Sequence, residues 1–423
     1  MPSRFSAVPR PVYFYLAASF FMGLANTIFD VVFNFYLAER GIQEADAGVI
    51  YAIATGAMAV AVVPLLFLRR YASQRALLIG ASVLYTVPFA GLPFVSSVAS
   101  ASVVLSLILS GMLGLLSVGN AIAGAQVPES ARTRLFSAFF ISYLGAGVIG
   151  SALVSVVSGW LDTSDLEKYR FFLLLSFLAA CVMLVLRFPS GKAVPQAAAA
   201  TGERAPEAPP ETRNFVALFL AAGFLGASIA LFFRFANVLF AQVYDISVSD
   251  ISLILGTDKI VSIFGAIFAP VLVKRYSLRP SAVIFGVLAV VGLLVQSLTV
   301  PLVVFVVLYL LRLLFNYCLM PLLDTVAMSG FAPARQMVSI GLRQSSFYLG
   351  GAGAAALYGW LLDDGRWQAA LWFSAGCALV GSLAMTFVRG SEPGRPADAA
   401  EGKAEDAAAD GDGPTLKKEA AHA

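Results

Sequence analysis

Residues 189–212 read PSGKAVPQAAAATGERAPEAPPET, a proline-rich stretch with a run of four alanines and mixed charges. It has no apolar face at helical or strand period. A segment of this composition buries too little apolar surface to offset its ordering entropy, so it is expected to be a flexible linker. It falls near the middle of 423 residues, and the half of the chain before it is echoed by the half after it. FNFYLAERGIQEADAGVIY (33–51) aligns with ANVLFAQVYDISVSDISLIL (236–255), setting Asn34 on Asn237 and Asp46 on Asp250. Pro64 with Arg70-Tyr71 falls on Pro270 with Arg275-Tyr276, and Ala131-Arg132 on Ala334-Arg335. Tyr143-Leu144-Gly145 then falls on Tyr348-Leu349-Gly350, and Gly159-Trp160-Leu161 on Gly359-Trp360-Leu361. An ordered series at offsets of 200 to 206 along a whole half marks a tandem repeat about the linker.

Each repeat is built of long apolar runs. The chain is 59% hydrophobic and only 13% charged, outside the range of soluble domains. Runs of about 18 or more apolar residues are spanning helices, whereas barrel strands would give short alternating segments. The reading is an all-α polytopic membrane protein with twelve spans, six on each side of the linker. Helices are expected at 12–38, 47–68, 75–96, 101–126, 134–160 and 170–188, then 214–242, 250–273, 280–299, 301–328, 336–362 and 367–388. The organisation is residues 1–188 as an N-terminal six-helix bundle, 189–212 as the linker, 213–389 as a C-terminal bundle and 390–423 as a disordered tail. The first apolar segment exceeds 25 residues and contains Asp30, so it reads as a retained helix rather than a signal peptide.

Orientation is set by the connections. With the N-terminus inside, 20 of the 28 Lys and Arg residues fall on the cytoplasmic side, and only Arg40, Lys168, Arg170 and Arg366 on the other. The positive-inside rule therefore places both termini and the linker in the cytoplasm, and the chain in the cytoplasmic (inner) membrane. Three cysteines, Cys181, Cys318 and Cys377, stand singly in apolar segments, and the one histidine, His422, is in the tail. No metal cluster, Ser-His or Cys-His arrangement is available, and no Gly-x-x-x-x-Gly-Lys-Ser/Thr loop occurs. The chain reads as neither an enzyme nor an ATP-driven pump, with no cofactor and no nucleic-acid partner. The expected partners are the lipid bilayer, a small-molecule solute and protons, with the chain acting as a monomer.

Ionisable residues within a membrane are costly and are candidates for function. They are Asp30, Arg234, Asp258, Lys259, Arg312, Asp324 and Arg343. Asp30 lies ~27 Å along helix one and Arg234 ~30 Å along helix seven, at a similar level. Asn26, Asp30 and Asn34 form one stripe at i, i+4 and i+8. With Arg234 and Asn237 opposite, that stripe is either a substrate or proton site or an interhelical pair sealing the outer side. Arg312, ~17 Å into helix ten, sits near the midplane with Asn316 and Tyr317 a turn later, and suits an anionic group or a partner carboxylate. Asp258 is either a second proton-coupling candidate or one half of a pair with a neighbouring helix. Its neighbour Lys259 projects about 100° away, so the two are not expected simply to neutralise each other. Asp324 and Arg343 lie near the cytoplasmic ends of their helices and read as a gating latch with the basic-loop residues Arg69, Arg75, Arg275 and Arg279.

Two parallel six-helix repeats joined by a long cytoplasmic loop resemble the major facilitator superfamily. The loop after helix two, PLLFLRRYASQR (64–75), is similar to the family's Gly-x-x-x-Asp-Arg-x-Gly-Arg-Arg, keeping Arg69 and Arg75. Pro64, Leu68 and Tyr71 replace the first glycine, the aspartate and the second glycine. PVLVKRYSLR (270–279) repeats the pattern in the second half. SYLGAGVIGSAL (142–153) resembles the glycine-rich motif of the family's antiporters, with Ser151 where a proline is customary. The resemblance implies secondary transport by alternating access, with helices one, four, seven and ten lining the cavity. Proton-coupled export of a small organic solute is the leading expectation. Uptake or facilitated diffusion of an organic anion or zwitterion is the alternative, and a non-transporting sensor or assembly partner the competing class.

Overall fold

The computed structural model describes residues 9–68, 71–127, 129–190, 212–276, 278–329, 331 and 336–388. The linker proper and the tail lie outside these residues. Twelve α-helices are found among them: α1 (Arg10–Glu39), α2 (Glu44–Leu68), α3 (Gln74–Phe89), α4 (Val98–Ala125), α5 (Glu129–Trp160), α6 (Asp165–Ser190), α7 (Thr212–Tyr244), α8 (Val248–Tyr276), α9 (Leu278–Gln296), α10 (Leu302–Ser329), α11 (Gln336–Asp363) and α12 (Trp367–Thr386). Eight of these are long and apolar enough to cross a membrane. Backbone polar groups have no water to turn to in lipid, and helices satisfy them internally. Six antiparallel crossings per half bring the starts of α1 and α7 and the ends of α6 and α12 to one face, called the linker end; the opposite face is the far end.

α5 and α6 each begin five residues before the sequence expectation, and the ends of α3 and α9 fall short of it. α3 stops at Phe89 rather than near residue 96, and a short 3₁₀ turn, Leu92–Phe94, comes after it. Pro93 has no N–H and its ring would meet the carbonyl of Phe89 in a continued helix. The loop is held instead by α1, where the Tyr36 hydroxyl donates to the carbonyls of Pro93 (2.8 Å) and Val95 (3.0 Å). α9 likewise ends at Gln296, before Thr299, which adopts a positive φ of 56°.

The repeat read from sequence is repeated in packing. Gly41 (φ 75°) ends the first helix of one half and Asp245 (φ 50°) ends the first helix of the other, both in the left-handed region. Glycine enters that region freely, and aspartate is one of the few other residues to visit it. Within the first bundle α1 packs on α5 and α6; within the second, α7 packs on α11 and α12. The crossings coincide: Gly23 of α1 lies against the Tyr143 backbone, and Gly226 of α7 against the Phe347 backbone. At both points a side chain would collide with a carbonyl, so only glycine lets the backbones approach this closely. The bundles meet along two seams, α2 with α11 and α5 with α8.

Candidate functional site

The polar stripe of α1 divides between three jobs. Asn34, near the far end, donates to the Arg234 carbonyl (2.6 Å) and to Asn237 Oδ1 (2.8 Å). Asn237 returns a bond to the Val31 carbonyl (3.0 Å), and the Tyr51 hydroxyl donates to Asn34 Oδ1 (2.9 Å). These side chains form a clasp between the bundles. Asn26, two turns nearer the linker end, is also engaged: it donates to the Tyr143 hydroxyl (2.7 Å) and accepts from Tyr85 (2.8 Å).

Asp30 lies between the two asparagines and differs from both. Among the described residues its carboxylate makes no hydrogen bond and no ion pair, and Arg234 followed by Lys259 are the cations whose charge reaches it. The Arg234 guanidinium lies 5.1 Å from the ring centre of Tyr51 and 5.4 Å from that of Phe233. Its charge thus rests on aromatic faces, where the ring quadrupole is attractive to cations.

A second polar cluster comes from α8 and α10. Asp258 Oδ1 accepts from Ser262 (3.0 Å), while Oδ2 receives Lys259 Nζ and the Tyr309 hydroxyl, each at 3.4 Å. This corrects the expectation that Asp258 and Lys259 would not neutralise each other. Their backbone vectors diverge, but the four-carbon lysine stem is long and flexible enough to fold back. Arg312 is 1% exposed and stacks on Phe232, its Cζ 3.8 Å from the ring centre. Its Nε, Nη1 and Nη2 have no hydrogen-bond partner. One turn on, Asn316 is buried with Nδ2 unpartnered.

Two chambers bring these groups together. A polar chamber of about 40 Å³ is lined by Asp30, Arg234, Asp258, Lys259, Arg312 and Tyr317, among others. Beside it is a chamber of about 180 Å³ whose walls are largely apolar, including Phe29, Met58, Ile108, Met112 and Phe347. Asp30, Ile229, Phe233 and Arg234 line both. Side chains from each bundle therefore meet in one central cavity.

The family model described as Major Facilitator Superfamily matches residues 15–355 and, in a second match, 218–420. The chain belongs to the major facilitator superfamily. It is thus a polytopic membrane protein with that superfamily's transporter fold of two six-helix bundles. Solved superfamily structures superimpose on it at low identity. The inward-open xylose transporter XylE from E. coli gives a TM-score of 0.71 at 12% identity, covering 93% of this chain and 98% of that one. A POT family transporter in complex with a thioalcohol-conjugated peptide gives 0.73 at 14%, covering 90% and 96%. The nucleoside transporter NupG gives 0.68 at 14%, covering 89% and 98%. No curated protein matches the sequence.

Within this superfamily member, Asp30, Arg234, Asn237, Asp258, Arg312 and Tyr317 share one chamber, and Asn26 lines its apolar neighbour. Asn34 and Asn316 line neither. Of the gating residues, Arg75 is exposed at the head of α3 and Arg343 is half-buried in α11. Arg69 and the side chains of Arg275, Arg279 and Asp324 lie outside the described residues. Sequence reasoning did not place Tyr51, Tyr85, Tyr143 or Tyr309 at the site, and named Lys259 only as an intramembrane charge. The repeat carried a signal for one of them: Tyr143 and its equivalent Tyr348 both line the apolar chamber.

Proposed function

We propose that this chain is a secondary transporter of a small organic solute, working by alternating access about the central chambers and coupled to protons through Asp30. The observation that carries the reading is the position of Asp30. It is an unengaged carboxylate in the wall common to both chambers, opposite Arg234 of the other bundle. Arg234 and Lys259 are the cations whose charge reaches it. A proton and a solute charge therefore act on the same group, which is what coupling requires.

The described contacts between bundles support a state closed at the far end. Besides the asparagine clasp, Ser155 meets Ser249 at 2.8 Å and Gln242 Nε2 donates to Glu44 at 3.3 Å. Toward the linker end the bundles leave a cavity of about 180 Å³ between Val62, Leu65, Gln74 and Ser117 on one side and Ile340 and Gln344 on the other. With the basic connections assigning the linker and termini to the cytoplasm, this is the inward-facing state of a monomer in the cytoplasmic membrane. The glycine-rich α5 favours export. The descriptions of XylE, NupG and the peptide transporter as carriers of chemically unlike solutes support solute transport as the activity, and leave the solute to be read from the chambers themselves.

The test is flux in proteoliposomes under an imposed pH gradient, with a panel of organic solutes. Wild type is expected to accumulate or expel its solute with the gradient. Asp30→Asn is expected to fold and lose pH-driven counterflow. Unchanged proton dependence in that variant would remove Asp30 from the mechanism, and binding without flux would favour a sensor.

A further inference from the structure

We infer that the solute is a small organic monocarboxylate with one ring-sized apolar body, its head held by Arg312 and its body seated in the apolar chamber. The inference rests on the transporter reading above and names its substrate class. Arg312 is the starting point. A guanidinium that is 1% exposed, with Nε and both terminal nitrogens unpartnered, has no hydrogen bond or ion pair of its own among the described residues, although the charge of Asp258 reaches it. Phe232 covers one face of its plane but accepts none of its N–H groups. Buried charges persist when they are paired, and the planar fork of arginine matches a carboxylate bidentately.

The protein's own carboxylates do not fill that role. Asp258 is already engaged by Ser262, Lys259 and Tyr309, and Asp30 forms no ion pair with Arg312. Counting the charged groups that line the polar chamber, Arg234, Lys259 and Arg312 stand against Asp30 and Asp258, an excess of one positive charge. With Asp30 ionised, one monoanion balances it; with Asp30 protonated, the same monoanion leaves one positive charge in the chamber.

Size narrows the head and the body separately. The polar chamber, at about 40 Å³, holds about three waters at the roughly 10–15 Å³ of cavity that one water needs, so it suits a carboxylate-sized group. The neighbouring chamber of about 180 Å³ is comparable with the roughly 150 Å³ apolar cavity that takes up benzene. Phe29, Met112 and Phe347 give it the aromatic and thioether walls that pack on a ring. The two chambers adjoin at Asp30, Phe233 and Arg234, and the inferred solute spans that junction, with its carboxylate in the same electrostatic field as Asp30.

Binding to the purified full-length protein tests this by calorimetry and thermal shift, with phenylacetate, its neutral counterpart phenylacetamide, L-phenylalanine and uridine as probes. Phenylacetate is expected to bind at least tenfold more tightly than the amide and the zwitterion. Arg312→Gln is expected to weaken phenylacetate at least tenfold and phenylacetamide less than twofold, with Arg312→Lys between. The unliganded Arg312→Gln protein should melt no lower than wild type, because the substitution removes an unpaired buried charge. An arginine with a merely structural role would lower it. If that variant does not fold, the comparison of acid with amide on wild type decides alone. Equal binding of acid and amide, tighter binding of phenylalanine, no binding of phenylacetate, or retained affinity in Arg312→Gln would each overturn the inference. Transport of uridine without phenylacetate binding overturns it while leaving the transporter reading intact. Phenylacetate binding without flux does the reverse.

Discussion

Replacing Asn237 by alanine should open the far end. The side chain's two shorter bonds across the bundle interface accept from Asn34 Nδ2 at 2.8 Å and donate to the Val31 carbonyl at 3.0 Å, beside a long contact to the Asp30 carbonyl at 3.5 Å. Interhelical hydrogen bonds in membrane proteins average about 0.6 kcal/mol, so their loss removes about 1.2 kcal/mol from the closed state. At about 1.4 kcal/mol per tenfold, the ratio of far-end-open to far-end-closed protein rises roughly eightfold. Adding Asn34→Ala removes the further bond to the Arg234 carbonyl, for about 1.8 kcal/mol and a roughly 20-fold shift. Spin labels on cysteines introduced at Ser164 and Asp363, exposed at the far end of opposite bundles, report the change as growth of a longer-distance population in pulsed dipolar spectra. A folded Asn237→Ala protein with an unaltered distance distribution would refute the clasp as the element that holds this state.

Three further outcomes rest on packing, charge and connection. Gly226→Val drives a side chain into the Phe347 carbonyl and should cost about 1–3 kcal/mol in thermal or denaturant unfolding, while Gly145→Ala, with open space around its Cβ, should leave stability unchanged. Asp258→Asn strips Lys259 of its carboxylate and should destabilise by about 3–5 kcal/mol, with Asp258→Asn/Lys259→Met recovering most of the loss in a double-mutant cycle. Substituting a Gly/Ser tract of equal length for Ala193 to Pro209 should leave proteoliposome flux intact; lost flux in a folded protein would make the linker regulatory.

The architecture was legible because a bilayer forces it into the sequence. Apolar runs of spanning length, a linker too polar to pack and an ordered set of repeat matches gave twelve helices in two bundles. α3 was the most overextended, since Pro93 lies within a run that hydropathy reads as continuous. The site was less legible, and for a physical reason. In a helix that is apolar on all faces, periodicity does not say whether a polar residue faces a cavity or a neighbouring helix. Asn34 and Asp30 stand one turn apart on the same stripe, yet one closes a clasp and the other lines two chambers. Nor did spacing disclose the Asp258–Lys259 pair, which depends on how a flexible stem folds back. Tyr51, Tyr85 and Tyr309 are three of 14 tyrosines, most of which sequence alone cannot separate from packing.

The paired crossings at Gly23 and Gly226 set the mechanical scale of the molecule. Where backbone rests on backbone there is no rotamer to yield, so each bundle behaves as a stiff lever and strain passes to the seams. A displacement at Ser155 and Ser249 is then passed along α5 and α8 more than it is absorbed beside them, because close-packed interiors are stiff and pass strain on. A compound wedged into that seam would hold the two bundles in one arrangement without entering either chamber.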